Sequence, residues 1–139
     1  MPQHRSTRAG LIVAGSLALG IASSQPRSPP GNPVPCNRGV CTLTLTIDGD
    51  CTQPGNIRID KPFVSVDAAL NMRWTIAAPG FEFEANGIDF DPPNAQFQVQ
   101  NSPRPNEFRI HNSKSANGDF YYFVNIKGCA RFDPWVRNH

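Results

Sequence analysis

From Cys41 onward, apolar and polar residues alternate along the chain. Cys41, Leu43, Leu45 and Ile47 are separated by Thr42, Thr44 and Thr46. That spacing places the first set on one face of a half-buried strand rich in β-branched residues. Asp48-Gly49-Asp50 supplies turn chemistry after it. Ile57 and Ile59 predict a second short strand. Val64 and Val66, just after Pro62, predict a third at an edge or kink. Leu70, Met72, Trp74 and Ile76 alternate next. Asp67 could cap a short helix over Asp67 to Trp74, but four large apolar residues at spacing two outweigh one cap, so a strand with Trp74 in the core is expected.

After Pro79-Gly80, Phe81 and Phe83 alternate with Glu82 and Glu84, and Ile88 and Phe90 follow Asn86-Gly87. An Asn-Gly pair between two alternating runs predicts a tight hairpin. In the last third, Phe97/Val99, Phe108/Ile110 and Phe120/Tyr122/Val124/Ile126 claim the core, and Trp135 is expected to anchor the tail. Period two turns their alternates outward. If these strands are neighbours, one face carries Gln96, Gln98, Gln100, Glu107, Arg109, His111, Tyr121, Phe123 and Asn125. Flat rings beside planar donors and acceptors suit glycans or peptides, so Arg109, His111, Tyr121 and Phe123 are the candidate binding residues. An ordinary wet sheet face, or a face covered by Trp135, would carry the same pattern.

Seven or eight short strands separated by turn residues, with no helix in the domain, predict an all-β fold, an antiparallel β-sandwich. The chain from about Leu43 to Asn138 resembles small uncharacterised exported bacterial domains with an immunoglobulin-like or cupredoxin-like sandwich. The residues that carry the likeness are Trp74 within Asn71 to Ile76, Phe83 with Gly87-Ile88, Gly118-x-Phe120-x-Tyr122-x-Val124, and Cys129-x-x-x-Asp133-Pro134. The likeness implies a fold and an exported location, and no activity. The cysteines depart from the immunoglobulin pattern, because Cys51 lies 23 residues before Trp74. The inter-sheet bridge of that fold is therefore not carried over.

The N-terminus changes the picture of charge and compartment. Arg5 and Arg8 precede an uncharged run from Gly10 to Ala22, with Ser24 shortly after. A basic start, an apolar middle and a small-residue end predict a signal peptide over residues 1–24. The apolar run is too short to span a bilayer. Residues 25–35 hold five of the 14 prolines and read as an extended, disordered leader, which leaves 36–139 as the domain. The 13 basic residues, less Arg5 and Arg8, become 11 against 11 acidic ones, so the mature chain is neutral. A neutral chain without Lys/Arg clusters gives no reason to bind nucleic acid, and no membrane span is expected in it. The expected location is secreted or periplasmic. Cys36, Cys41, Cys51 and Cys129 then read as two disulfides rather than free or metal-bound thiols. Cys41 faces the core and Cys129 ends the last clear strand, so the expected pairing is Cys41–Cys129 with Cys36–Cys51.

No cofactor is expected. A blue-copper site needs two His, a Cys and usually a Met, and the domain offers only His111, His139 and Met72 beside its cysteines, without a tight ligand loop. Glu82, Glu84, Asp89 and Asp91 could form an acid pair or a calcium site across the hairpin, but no calcium-loop pattern accompanies them and a solvated acidic face is the expected reading. No Gly-rich phosphate loop follows a strand. Two function classes remain. One is an exported, non-catalytic module that binds protein or glycan. The other is a secreted inhibitor or effector acting through a disulfide-held loop, with Pro92 to Asn94 and Asn101 to Asn106 as contacts. No enzyme activity is expected, with a divergent enzyme as the third reading.

Overall fold

The alternating segments do form strands. A computed structural model describes residues 28–36 and 38–139; the expected signal peptide, residues 1–24, lies outside them. Among the described residues there is no α-helix, one 3-10 turn at Pro54–Asn56 and ten strands. These are β1 (Val34–Pro35), β2 (Val40–Ile47), β3 (Ile57–Ile59), β4 (Phe63–Val66), β5 (Leu70–Ile76), β6 (Phe83–Phe90), β7 (Phe97–Gln100), β8 (Glu107–Asn112), β9 (Gly118–Ile126) and β10 (Trp135–Asn138). They make two five-stranded sheets, ordered β1-β4-β10-β9-β6 and β3-β2-β5-β8-β7. β1 belongs to the segment read as a leader, and it pairs with β4 in the first sheet.

The inner faces meet through rings. Phe90 of the first sheet stacks on Phe97 of the second at 3.7 Å with planes 2° apart, and Phe83 meets Phe108 edge-on at 5.7 Å. Trp74, Leu43, Leu45, Met72, Ile110, Tyr122 and Val124 fill the space between and are buried almost completely. Trp74 is thus a core residue, as the alternation predicts.

Strand direction departs from the antiparallel expectation. β2 runs parallel to β5, and β4 runs parallel to both β1 and β10. The cause is a crossover. After the β2–β3 pair the chain passes to the first sheet as β4 and returns as β5, and a connection of that length can bring two strands alongside in the same direction.

The expected hairpin at Asn86-Gly87 is also absent. β6 runs through it as one strand, with a bulge between Phe83 and Ile88 where it pairs with β9. Asn125 Nδ2 donates to the Asn86 carbonyl and holds the bulge against β9. Gly87 is needed for closeness, because a Cβ there would lie 2.8 Å from both Phe108 Cδ2 and Phe83 Cβ.

Two positions on β7 and its approach reverse their expected burial. Val99 is 64% exposed, and Gln96 is 2% exposed. β7 is an edge strand, so Val99 stands at the open margin of its sheet in a cleft with Phe90, Phe97 and Ile110. Gln96 turns inward to polar partners: its Oε1 accepts from Asn138 Nδ2 at 2.9 Å and from the Ala116 amide at 3.2 Å.

All four cysteines are oxidised, but the pairing is Cys36–Cys41 and Cys51–Cys129. Cys41 does face the core. However, it opens β2 while Cys51 lies past the far end of that strand. An eight-residue strand separates those points by roughly 25 Å. Cys129 lies in the turn after β9 at the Cys51 end, where the Ala130 amide donates to the Cys51 carbonyl at 2.7 Å. Cys36, next to β1, is brought back to Cys41 within five residues, with Gly39 at φ +65° in between. Each bridge therefore links one sheet to the other, at opposite ends of the fold.

Candidate functional site

The four candidate residues do not share a face. Arg109 and His111 lie on β8 in the second sheet, while Tyr121 and Phe123 lie on β9 in the first. β8 and β9 are consecutive in sequence but not neighbours in space. Since both turn these side chains away from the shared core, they occupy opposite outer surfaces.

On the first sheet, Phe63, Trp135 and Tyr121 stand in register across β4, β10 and β9. Tyr121 packs against Trp135 at 5.3 Å and edge-on against Phe123 at 5.7 Å. The row is closed by charged groups. The Arg131 guanidinium lies 3.7 Å above the Phe123 ring, and Arg137 lies 5.1 Å from the Phe63 ring. Arg137 also makes a two-pronged pair with Asp119, at 2.7 and 3.0 Å, which lowers the Asp119 pKa below the usual carboxylate range. The Tyr121 hydroxyl donates to Asp91 at 2.8 Å. Trp135 lies beside Tyr121 in this layer and does not cover it. Phe63 and Trp135 are buried here, outside the central core cluster.

The outer face of the second sheet has a different character. Thr42, Arg73, Arg109 and Gln100 form one row across β2, β5, β8 and β7. Asn71, His111 and Gln98 form the next, and His111 Nδ1 lies 2.7 Å from Asn71 Oδ1. Arg73 and Arg109 face each other directly, an arrangement that like charges disfavour. Glu107 offsets it. Its Oε1 accepts from Nε and Nη2 of Arg109, both at 3.1 Å, and lies 3.5 Å from Arg73 Nε. Arg73 Nη2 also donates to Thr42 Oγ1 at 3.2 Å. Glu107 is 9% exposed, while both arginine side chains are 39% exposed.

The loop from Asn101 to Asn106 walls this face. It is pinned to the body: the Ile76 and Phe83 amides donate to the carbonyls of Asn106 and Pro105, both at 2.9 Å, and the Arg109 amide donates to Ser102 Oγ. Between loop and sheet lies a cleft of about 320 Å³ bounded by Arg73, Thr75, Arg104, Asn106, Glu107 and Arg109. A depression of about 130 Å³ continues on the other side of the arginine pair, against Val40, Asn71 and Gln100.

Arg73 is therefore a site residue outside every candidate set read from the sequence, whereas Glu107 is on the expected outward face and Arg104 falls in the expected contact loop from Asn101 to Asn106. Alternation marks Arg73 as outward, because it precedes core Trp74. The β2-β5-β8 order that sets it opposite Arg109 has no local signature.

The acidic residues of β6 and its surroundings disperse. Glu82 pairs with Lys127, Asp89 with Arg131 and Asp91 with Tyr121. No group of three or more metal-binding side chains occurs among the described residues. A blue-copper thiolate has no source, since both disulfides together take all four sulfurs. The bridges hold neither of the loops expected to make inhibitor contacts. No helix of the described residues is long and apolar enough to cross a membrane. No protein-family model matches the chain, and no curated protein matches it.

Proposed function

We propose that this domain is a non-catalytic module, exported by its N-terminal signal, that binds glycan on the outer face of the β3-β2-β5-β8-β7 sheet. The observation that carries the reading is the cleft beside the Arg73–Arg109 pair. It is open and rigidly walled, and it is lined by side chains with spare hydrogen-bonding capacity. Of its lining, only Pro103 is apolar. Sugars present hydroxyl groups on every side, and such a lining matches them better than it matches an apolar or aromatic ligand. The two disulfides fit an oxidising compartment. The arrangement of two sheets around one core supports the sandwich likeness, and the parallel pairs favour a mixed, cupredoxin-like order over the all-antiparallel immunoglobulin-like one.

Tyr121 and Phe123 are assigned to packing in this reading, because Arg131 already occupies the face of the Phe123 ring. A defined panel of neutral and acidic oligosaccharides, immobilised and probed with the oxidised full chain, tests the proposal. Capture that is lost in Arg109→Gln and kept in Tyr121→Phe supports it. No capture anywhere on the panel, or release of shortened sugars, overturns it.

A further inference from the structure

We infer that the ligand held in this cleft is an acidic sugar, a carboxylate-bearing ring with neighbouring hydroxyls; the inference rests on the glycan-binding reading above. Its basis is an imbalance of charge. Five of the seven described basic residues elsewhere have their own carboxylate: Arg58 with Asp48, Lys61 with Asp60, Lys127 with Glu82, Arg131 with Asp89 and Arg137 with Asp119. The other two, Arg38 and Lys114, stand apart from the cleft without an ion pair among the described residues. At the cleft, Arg73 and Arg109 share Glu107, and Arg104 has no ion pair among the described residues. Two guanidinium groups share one carboxylate, and a third arginine, Arg104, lines the same cleft. A bound monoanion would complete the set, and the planar fork of arginine suits a carboxylate.

Glu107 narrows the choice further. Both arginines use its Oε1, and no hydrogen bond to Oε2 is made among the described residues. A carboxylate oxygen at the cleft wall accepts hydroxyl protons and repels a second dense negative charge. A doubly charged phosphate therefore fits less well than a uronate, whose single charge is flanked by hydroxyl donors. Thr75 and Asn106 add neutral polar groups on the same wall. An acidic peptide would bring side chains that need apolar contacts, which this lining does not offer.

The test titrates the oxidised full chain with oligogalacturonate, with the same oligosaccharide methyl-esterified at its carboxyl groups, and with inorganic sulfate, by calorimetry at low salt. The expected result is binding of the free acid about tenfold or more tighter than of the ester, the scale of one charge-assisted contact. Arg104→Gln removes a side chain with no ion pair, so the fold is kept, and it should weaken the free acid about tenfold and the ester by much less. Equal affinity for acid and ester overturns the acidic-sugar inference and leaves the glycan-binding face standing. Sulfate binding as tightly as the oligosaccharide overturns it in favour of a simple anion site. If neither oligosaccharide binds, the inference falls, and the oligosaccharide panel decides whether the glycan-binding reading falls with it.

Discussion

The indole nitrogen of Trp74 donates a 3.1 Å hydrogen bond to the hydroxyl of Tyr122, and both side chains are wholly buried. The bond crosses from β5 in one sheet to β9 in the other. Their rings meet edge-on at 5.4 Å, so the same pair supplies apolar area and satisfies its polar atoms. Tyr122→Phe should leave the Trp74 N–H buried without a partner and cost about 1–3 kcal/mol. Trp74→Ala should cost about 3–5 kcal/mol, enough to unfold a marginal domain. Denaturant melts of both variants check the order.

Burial pushes the Tyr122 hydroxyl well above the usual phenol range. The folded chain then keeps that proton at pH values where the unfolded chain releases it. Its contribution is full below about pH 10, the ordinary phenol value, and is lost as pH rises beyond it. The loss reaches about 1.4 kcal/mol per pH unit at most. Tyr122→Phe should remove this component, so the stability gap between wild type and variant narrows above pH 10. A gap that stays constant up to pH 11.5 would contradict the burial of the hydroxyl.

The disulfides should contribute unequally. Cys51–Cys129 closes a loop of sequence separation 78, and Cys36–Cys41 one of 5. On a chain-entropy basis, the long bridge stabilises by about 4 kcal/mol and the short one by about 2. Replacing each pair with alanines and measuring urea midpoints tests this. Equal losses would show that the unfolded chain is not the main place where the long bridge acts. Peptide mapping without reductant checks the pairing itself.

Local alternation made most strands legible, from Cys41/Leu43/Leu45 to Tyr122/Val124/Ile126, because period two follows directly from facing. What it could not show was which strands become neighbours. β8 and β9 adjoin in sequence and lie in different sheets, so alternation alone puts Arg109 and Tyr121 on one face where the fold puts them on two. Parallel pairing of β2 with β5 depends on a crossover, which leaves no spacing to read. The cysteine pairing failed for the same reason: facing was correct for Cys41, but position along β2 decided the partner.

Gly87 offers a further check on the bulge. The Asn86-Gly87 pair suggested a turn, yet Gly87 lies inside β6 with Phe83 and Phe108 pressed against it. Gly87→Ala should cost roughly 1–3 kcal/mol by overpacking, with near-ultraviolet signals of the two rings displaced. A neutral substitution would mean that the bulge opens freely at this point.

The ring layer on the first sheet provides the test that separates packing from binding. Tyr121 and Phe123 contact each other at 5.7 Å, Trp135 backs Tyr121, and Arg131 lies over Phe123 while facing Asp89 at 3.7 Å. Removing both rings strips half-buried apolar area, an edge-on ring pair and a cation–π contact. Together these are worth roughly 2–4 kcal/mol. Tyr121→Ala with Phe123→Ala should therefore lower the melting temperature while oligosaccharide capture, measured well below that temperature, stays at the wild-type level. The single change Arg131→Gln should produce a smaller loss in the same direction, because it removes only the lid and its ion pair. If the double variant keeps full stability and loses capture, the rings are the ligand platform, and the assignment of binding to the Arg73–Arg109 face is wrong.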